Sequence, residues 1–112
     1  MEDIINLAQR LGKAISDSPQ AQKLRAAREE LARQPQVEQI LKDYQDQADR
    51  ITKLENEQKP VEVADKRKLD ELHSKLVSND LFKKLTAAQV EYVDLMRKVN
   101  GSIRNQLGPI AQ

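Results

Sequence analysis

Residues 80–107 read DLFKKLTAAQVEYVDLMRKVNGSIRNQL, and this stretch decides the fold. Its apolar side chains fall at Leu81, Leu85, Ala88, Tyr92, Leu95 and Val99, in alternating steps of four and three. Only an α-helix carries that spacing onto one side. A second stripe runs beside the first through Phe82, Val93, Met96, Ile103 and Leu107. Together they make a face wider than one neighbouring helix covers, so the segment is expected to meet at least two others. At about 1.5 Å per residue it reaches roughly 42 Å. A compact domain of about 100 residues has a radius of gyration near 13 Å. Gly101 inside the pattern costs about 1 kcal/mol relative to Ala. It marks either a close approach of another backbone or a break near Asn100. The stripe's continuation through Ile103 and Leu107 favours a single helix, stopped by Gly108-Pro109.

Four more helices precede it. Asp3 to Ser16 puts Ile4, Leu7, Ala8, Leu11 and Ile15 on one face, with Asp3 as the N-cap. Ser18 can cap a second helix whose first position is Pro19, where the missing N–H costs nothing. That helix carries Ala21, Leu24, Ala27 and Leu31 to about Arg33. Pro35 repeats the device and opens a third, from 35 to 58. Its seam is Val37, Ile40, Tyr44, Ile51 and Leu54, widened by Leu41 and Ala48, with Gln47 the polar exception. Glu38–Lys42, Asp46–Arg50 and Asp49–Lys53 are spaced to pair on its outer surface. After Lys59-Pro60, a fourth helix from Val61 to Val77 uses Val61, Leu69, Leu72 and Leu76, with Glu62–Lys66 and Glu71–Lys75 outside. Asn79 then caps the last helix. The expected fold is all-α, a single domain over residues 1–112. About five helices form an antiparallel bundle, two of them long, at 35–58 and 80–107.

The chain has 112 residues, is 38% hydrophobic and 33% charged, and holds three glycines, a balance that suits a surface-rich helical protein. Its net charge of +1 gives no strong field to attract nucleic acid or an anionic membrane. It has no cysteine, so neither disulfides nor thiolate-held clusters form within it. No apolar run approaches the ~20 residues that span a bilayer. The start lacks the basic region of a signal peptide, so a cytoplasmic location is expected.

A search for chemistry finds little. His73 is the single histidine, two residues from Glu71 and therefore on another side of a helix. It reads as a surface or boundary residue, and no metal site is expected. No phosphate-cradling glycine loop or nucleophile elbow occurs. Catalytic residues are none, and the chain is not expected to be an enzyme. Lys66-Arg67-Lys68 is the longest basic run, but Asp65 and Asp70-Glu71 flank it. It reads as a solvated face, with an RNA-binding role for this run plus Lys83 and Lys84 as the alternative. Tyr44, Phe82 and Tyr92 lie on or beside apolar seams rather than forming a stacking platform.

What remains is the seams themselves. Helices of about 24 and 28 residues exceed neighbours of about 14–17, so seam residues are expected to reach a partner. Tyr44, Ile51 and Leu54 on the third helix, and Tyr92, Leu95, Met96, Val99 and Ile103 on the fifth, form the expected interface of a homodimer.

These features resemble the YlbF/YmcA family of small bacterial helical proteins, to which YheA also belongs. The resemblance covers nearly the whole chain. It rests on the Ser18-Pro19 start, the Gln34-Pro35 restart, the Gln-containing third helix and Leu76-Val77-Ser78-Asn79. It rests most on Phe82-x-x-Leu85, Gln89, Tyr92, Leu95-Met96, Val99-Asn100 and Ile103 in the last helix. The resemblance implies a non-catalytic regulatory adaptor that forms dimers or mixed assemblies. Its implied partners are a family paralogue or an RNA-degrading endonuclease, and its implied roles are in competence, sporulation and biofilm formation. Regulatory relatives form a complex associated with iron–sulfur clusters. This chain has no cysteine to ligate one, so no cofactor is carried over and the YheA-like branch fits better.

Overall fold

The computed structural model describes residues 3–111, and the regular structure among them is entirely helical. The order is α1 (Ile4–Ser16), α2 (Pro19–Ala32), α3 (Pro35–Asn56), α4 (Val63–Val77) and α5 (Asp80–Leu107), followed by a 3-10 turn over Gly108–Ala111. The all-α expectation, the five helices and the two long ones all hold. The ends differ slightly. α3 stops at Asn56 rather than Gln58, and α4 starts at Val63 rather than Val61.

The chain divides into two compact units, one of Met1–Arg28 with Leu85–Gln112 and one of Glu29–Lys84. In the second unit α3 and α4 form an antiparallel hairpin. Leu31, Val37, Leu72 and Leu76 are buried there, with Leu76 the most completely enclosed. Gln47, the polar residue in the seam, is buried as well. Its Nε2 donates to the Asp65 backbone carbonyl at 2.9 Å and lies 3.4 Å from the Asp65 carboxylate. A buried amide without partners costs about 1–3 kcal/mol; here it ties the middle of α3 to the first turn of α4. Arg50 Nε reaches the same carboxylate at 3.1 Å. Arg50 thus pairs across the hairpin and not with Asp46 as its spacing suggested. None of the other four expected acid–base pairs closes either. These are exposed side chains in water, where such a contact is worth too little to hold them.

The hairpin turn explains the early end of α3. Gln58 takes φ +57. Gln58 N–H donates to the Glu55 carbonyl at 3.0 Å and Lys59 N–H to the Leu54 carbonyl at 2.8 Å. That pair of bonds is the Schellman closure, with a left-handed residue just past the helix and Pro60 after it.

In the first unit Ala21, Leu24, Ala27, Leu85 and Ala88 are buried. Asp3 caps α1 by accepting from Asn6 N–H at 2.7 Å. α5 runs unbroken through Gly101. A Cβ placed there would meet nothing within 4 Å. Of the two readings of this glycine, neither a break nor a close approach within the chain is found.

A glycine at position 58 would adopt the left-handed conformation without the clash a Cβ brings. Gln58→Gly is expected to raise stability by about 0.5–1 kcal/mol, after discounting glycine's greater freedom in the unfolded chain. Urea titration followed by circular dichroism measures this, and a destabilised variant would contradict the turn as described.

Candidate functional site

The corner between α1 and α2 is built from polar contacts. Ser18 Oγ donates to the Ile15 carbonyl at 2.6 Å and accepts from Ala21 N–H at 3.2 Å, so one hydroxyl closes α1 and caps α2. Arg25 Nη2 donates to the Ser16 carbonyl at 2.7 Å, and Gln22 Nε2 to the Asp17 carbonyl at 2.9 Å. The carbonyls that a helix end leaves orphaned are thereby satisfied from α2. Lys23 and Glu91 link α2 to α5 at 3.6 Å. Within this frame lies an open groove of about 390 Å³. Ile15, Leu24, Tyr92 and Met96 supply its apolar wall, and Arg25 and Arg28 its charge.

α1 otherwise keeps its apolar face in water. No residue of α1 is buried. Ile4 is 82% exposed, Leu7 51% and Leu11 39%, and Ile15 alone on that face is half-buried. α5 shows a gradient along its length. Leu85 and Ala88 are buried, Tyr92, Leu95, Met96 and Val99 are half-buried, and Ile103 is 44% exposed. Leu107 beyond them is exposed too.

The interface residues expected from sequence therefore fall in different settings. Tyr44, Ile51 and Leu54 belong to the second unit and are half-buried on α3. Tyr92, Leu95, Met96, Val99 and Ile103 belong to the first, and Ile103 stands furthest into solvent. Sequence reasoning singled out neither Val90, exposed on α5 beside Val93, nor the solvent-facing state of α1. Apolar periodicity reports that a face exists and says nothing of what covers it.

His73 is exposed, with its ring 6.0 Å from that of Tyr44 and tilted by 41°. Among the described residues no group of three or more His, Cys, Asp or Glu is placed to hold a metal ion. The donors of an iron–sulfur cluster do not fit this chain, which has no cysteine and one histidine. Lys66, Arg67 and Lys68 are exposed on α4. Lys84 is occupied by the Glu30 carboxylate, at 3.2 and 3.3 Å to its two oxygens. No helix among the described residues is long and apolar enough to cross a membrane.

The proton affinity of Asp65 is clearly displaced. The Arg50 hydrogen bond holds it below the ordinary value, helped by Gln47, by the charge of Arg50 and by the Glu62 backbone amide, and opposed by desolvation. A carboxylate in this setting fastens two helices and is not poised to move a proton.

The fold so defined is a small all-α protein with two long helices, whose apolar helix faces are incompletely covered. The family model described as control of competence regulator ComK, YlbF/YmcA, matches residues 4–108. The chain belongs to the YlbF/YmcA family, a regulatory family linked to competence. No curated protein matches the sequence.

Because the folded-state affinity of Asp65 for protons is lowered, its stabilising contribution is present above the ordinary carboxylate value near 3.8 and fades as pH falls through the folded value. Asp65→Asn should be less stable than wild type at about pH 7, and the gap should narrow as pH falls below 3.8. Urea midpoints of both proteins at about pH 7 and below 3.8 test this; an unchanged gap would remove Asp65 as its source.

Proposed function

We propose that this chain is a non-catalytic adaptor that acts by protein–protein interaction and works as a homodimer. One observation carries the reading: large apolar side chains stand exposed in the first unit, namely Ile4, Ile5, Leu7, Leu11, Val90, Val93, Ile103, Leu107 and Ile110, and exposed apolar surface of that extent marks a protein–protein site. In the second unit the exposed large hydrophobics among the described residues are Val63 and Val77.

The half-buried and exposed α5 residues Tyr92, Leu95, Met96, Val99 and Ile103 offer an interaction surface on the first unit, and Tyr44, Ile51 and Leu54 on α3 offer one on the second. Burial of these side chains supplies affinity, and the surrounding charges select among partners. The proposed partners beyond a second copy are a family paralogue and an RNA-degrading endonuclease, in the cytoplasm. The absence of cysteine supports the YheA-like branch. The RNA-binding alternative gains nothing from Lys84, whose charge Glu30 already answers.

Sedimentation velocity at about 10 μM should show a dimer, the range expected if several Leu, Ile and Val side chains at ~1.5–3 kcal/mol each are buried. Val99→Asp with Ile103→Asp should weaken it at least ~100-fold while circular dichroism stays helical. A wild type that is monomeric at that concentration would sink the dimer.

A further inference from the structure

We infer that the groove between α1, α2 and α5 takes a short acidic segment of a partner protein, one large apolar side chain entering it and a neighbouring Asp or Glu meeting Arg28. This rests on the adaptor reading above and gives its partner a chemistry. The groove lies wholly within the first unit. Its volume of about 390 Å³ falls in the ~300–1,000 Å³ range of ligand sites. Ile15 from α1, Leu24 from α2, and Tyr92 and Met96 from α5 give it the apolar wall such sites have.

Charge sets the sign of the occupant. No Asp or Glu lines the groove, whereas Arg25 and Arg28 both do. They stand three apart on α2, hence on one side of it. Arg25 donates to the Ser16 carbonyl, a neutral partner that leaves its charge unanswered. Among the described residues no carboxylate lies within ion-pair distance of Arg28. Glu29 follows it on α2 but points about 100° further round the helix. On the α1 and α5 sides, Asp17 is paired with Lys13, Glu91 with Lys23 and Asp94 with Lys98. A guanidinium beside an apolar wall matches a carboxylate next to an apolar side chain.

Gly12 is an independent observation. It sits in the interior of α1 and lines the groove. Glycine is the poorest helix former after proline, and a helix of 13 residues that buries nothing has little margin for it. A Cβ there would meet nothing within 4 Å, so no packing inside the chain demands the glycine. Its effect is to keep the α1 side of the groove clear. Because the groove is open, a small free acid would leave much of its surface in water. A chain segment continues past it and draws affinity from contacts outside. RNA is the rival, but two arginines answer only about two phosphates, and the net charge is +1.

The test uses the full chain and labelled, end-blocked nine-residue peptides with Leu, Phe or Tyr at the centre. One set has Glu on both sides of the centre, and the matched set has Lys in its place. Fluorescence anisotropy should show the acidic set binding at least ~10-fold more tightly than the lysine set. Arg28→Glu should weaken the acidic set by ~10-fold and strengthen the lysine set. Gly12→Leu should stabilise the chain against urea yet weaken the acidic set, whereas Gly12→Ala should stabilise it and bind as wild type does. Equal binding of the two sets, binding of neither, or an Arg28→Glu chain with unchanged preference would overturn the proposal. A Gly12→Leu chain that binds as well as wild type would place the segment outside the groove and overturn it too. Oligouridylate bound by wild type and lost in Arg28→Glu, with no binding of the acidic set, would assign the arginines to phosphate instead. Any of these results with a dimeric wild type removes the groove's role alone and leaves the homodimer standing.

Discussion

A single helix of three or four turns does not persist in water, so each short helix here depends on what its ends and its apolar face touch. α2 and α4 meet the requirement in the usual way, through Leu24 and Leu31 on one and Leu72 and Leu76 on the other, all buried. α1 meets it differently. Its ends are satisfied by side-chain hydrogen bonds while Ile4, Leu7 and Leu11 stay in water. The two ways of supporting a helix divide the molecule chemically, one part closed around aliphatic side chains and one part open.

The open part follows from side-chain size. The buried hydrophobic positions of the first unit are Ala21, Ala27 and Ala88 with Leu24 and Leu85. Three alanines let backbones come close but remove little apolar area from water, so larger residues on the same helices remain outside.

Much of this was legible in the sequence because it is local. Ser18-Pro19, Asn79 and the four-and-three spacing of α5 each name their structure within a few residues. Ser18 and Asn79 do cap their helices, and Asn79 accepts from Phe82 N–H at 3.1 Å. Gln47 was visible as an anomaly but not as a lock, since its partner Asp65 lies 18 positions away and offers a backbone carbonyl. Arg50 misled for the same reason. Asp46 sits at ideal helical spacing, yet the carboxylate it meets belongs to the next helix. The end of α3 was misplaced because Gln58 gives no compositional hint of a left-handed backbone that glycine would have announced. For the apolar faces, spacing marks the stripes, and only coordinates separate a stripe that packs from one that does not.

Gly101 carries a consequence of its own. It lies between Val99, half-buried, and Ile103, exposed, in a helix that no neighbour crowds at that point. Its backbone is the most easily loosened in α5, by about 1 kcal/mol against alanine. The turns beyond it can fray or bend as a small cooperative unit of their own while Leu85 and Ala88 stay seated. The exposed Ile103 and Leu107 ride on those turns and share their freedom. The last stretch of the helix is therefore the part of α5 whose shape costs least to change.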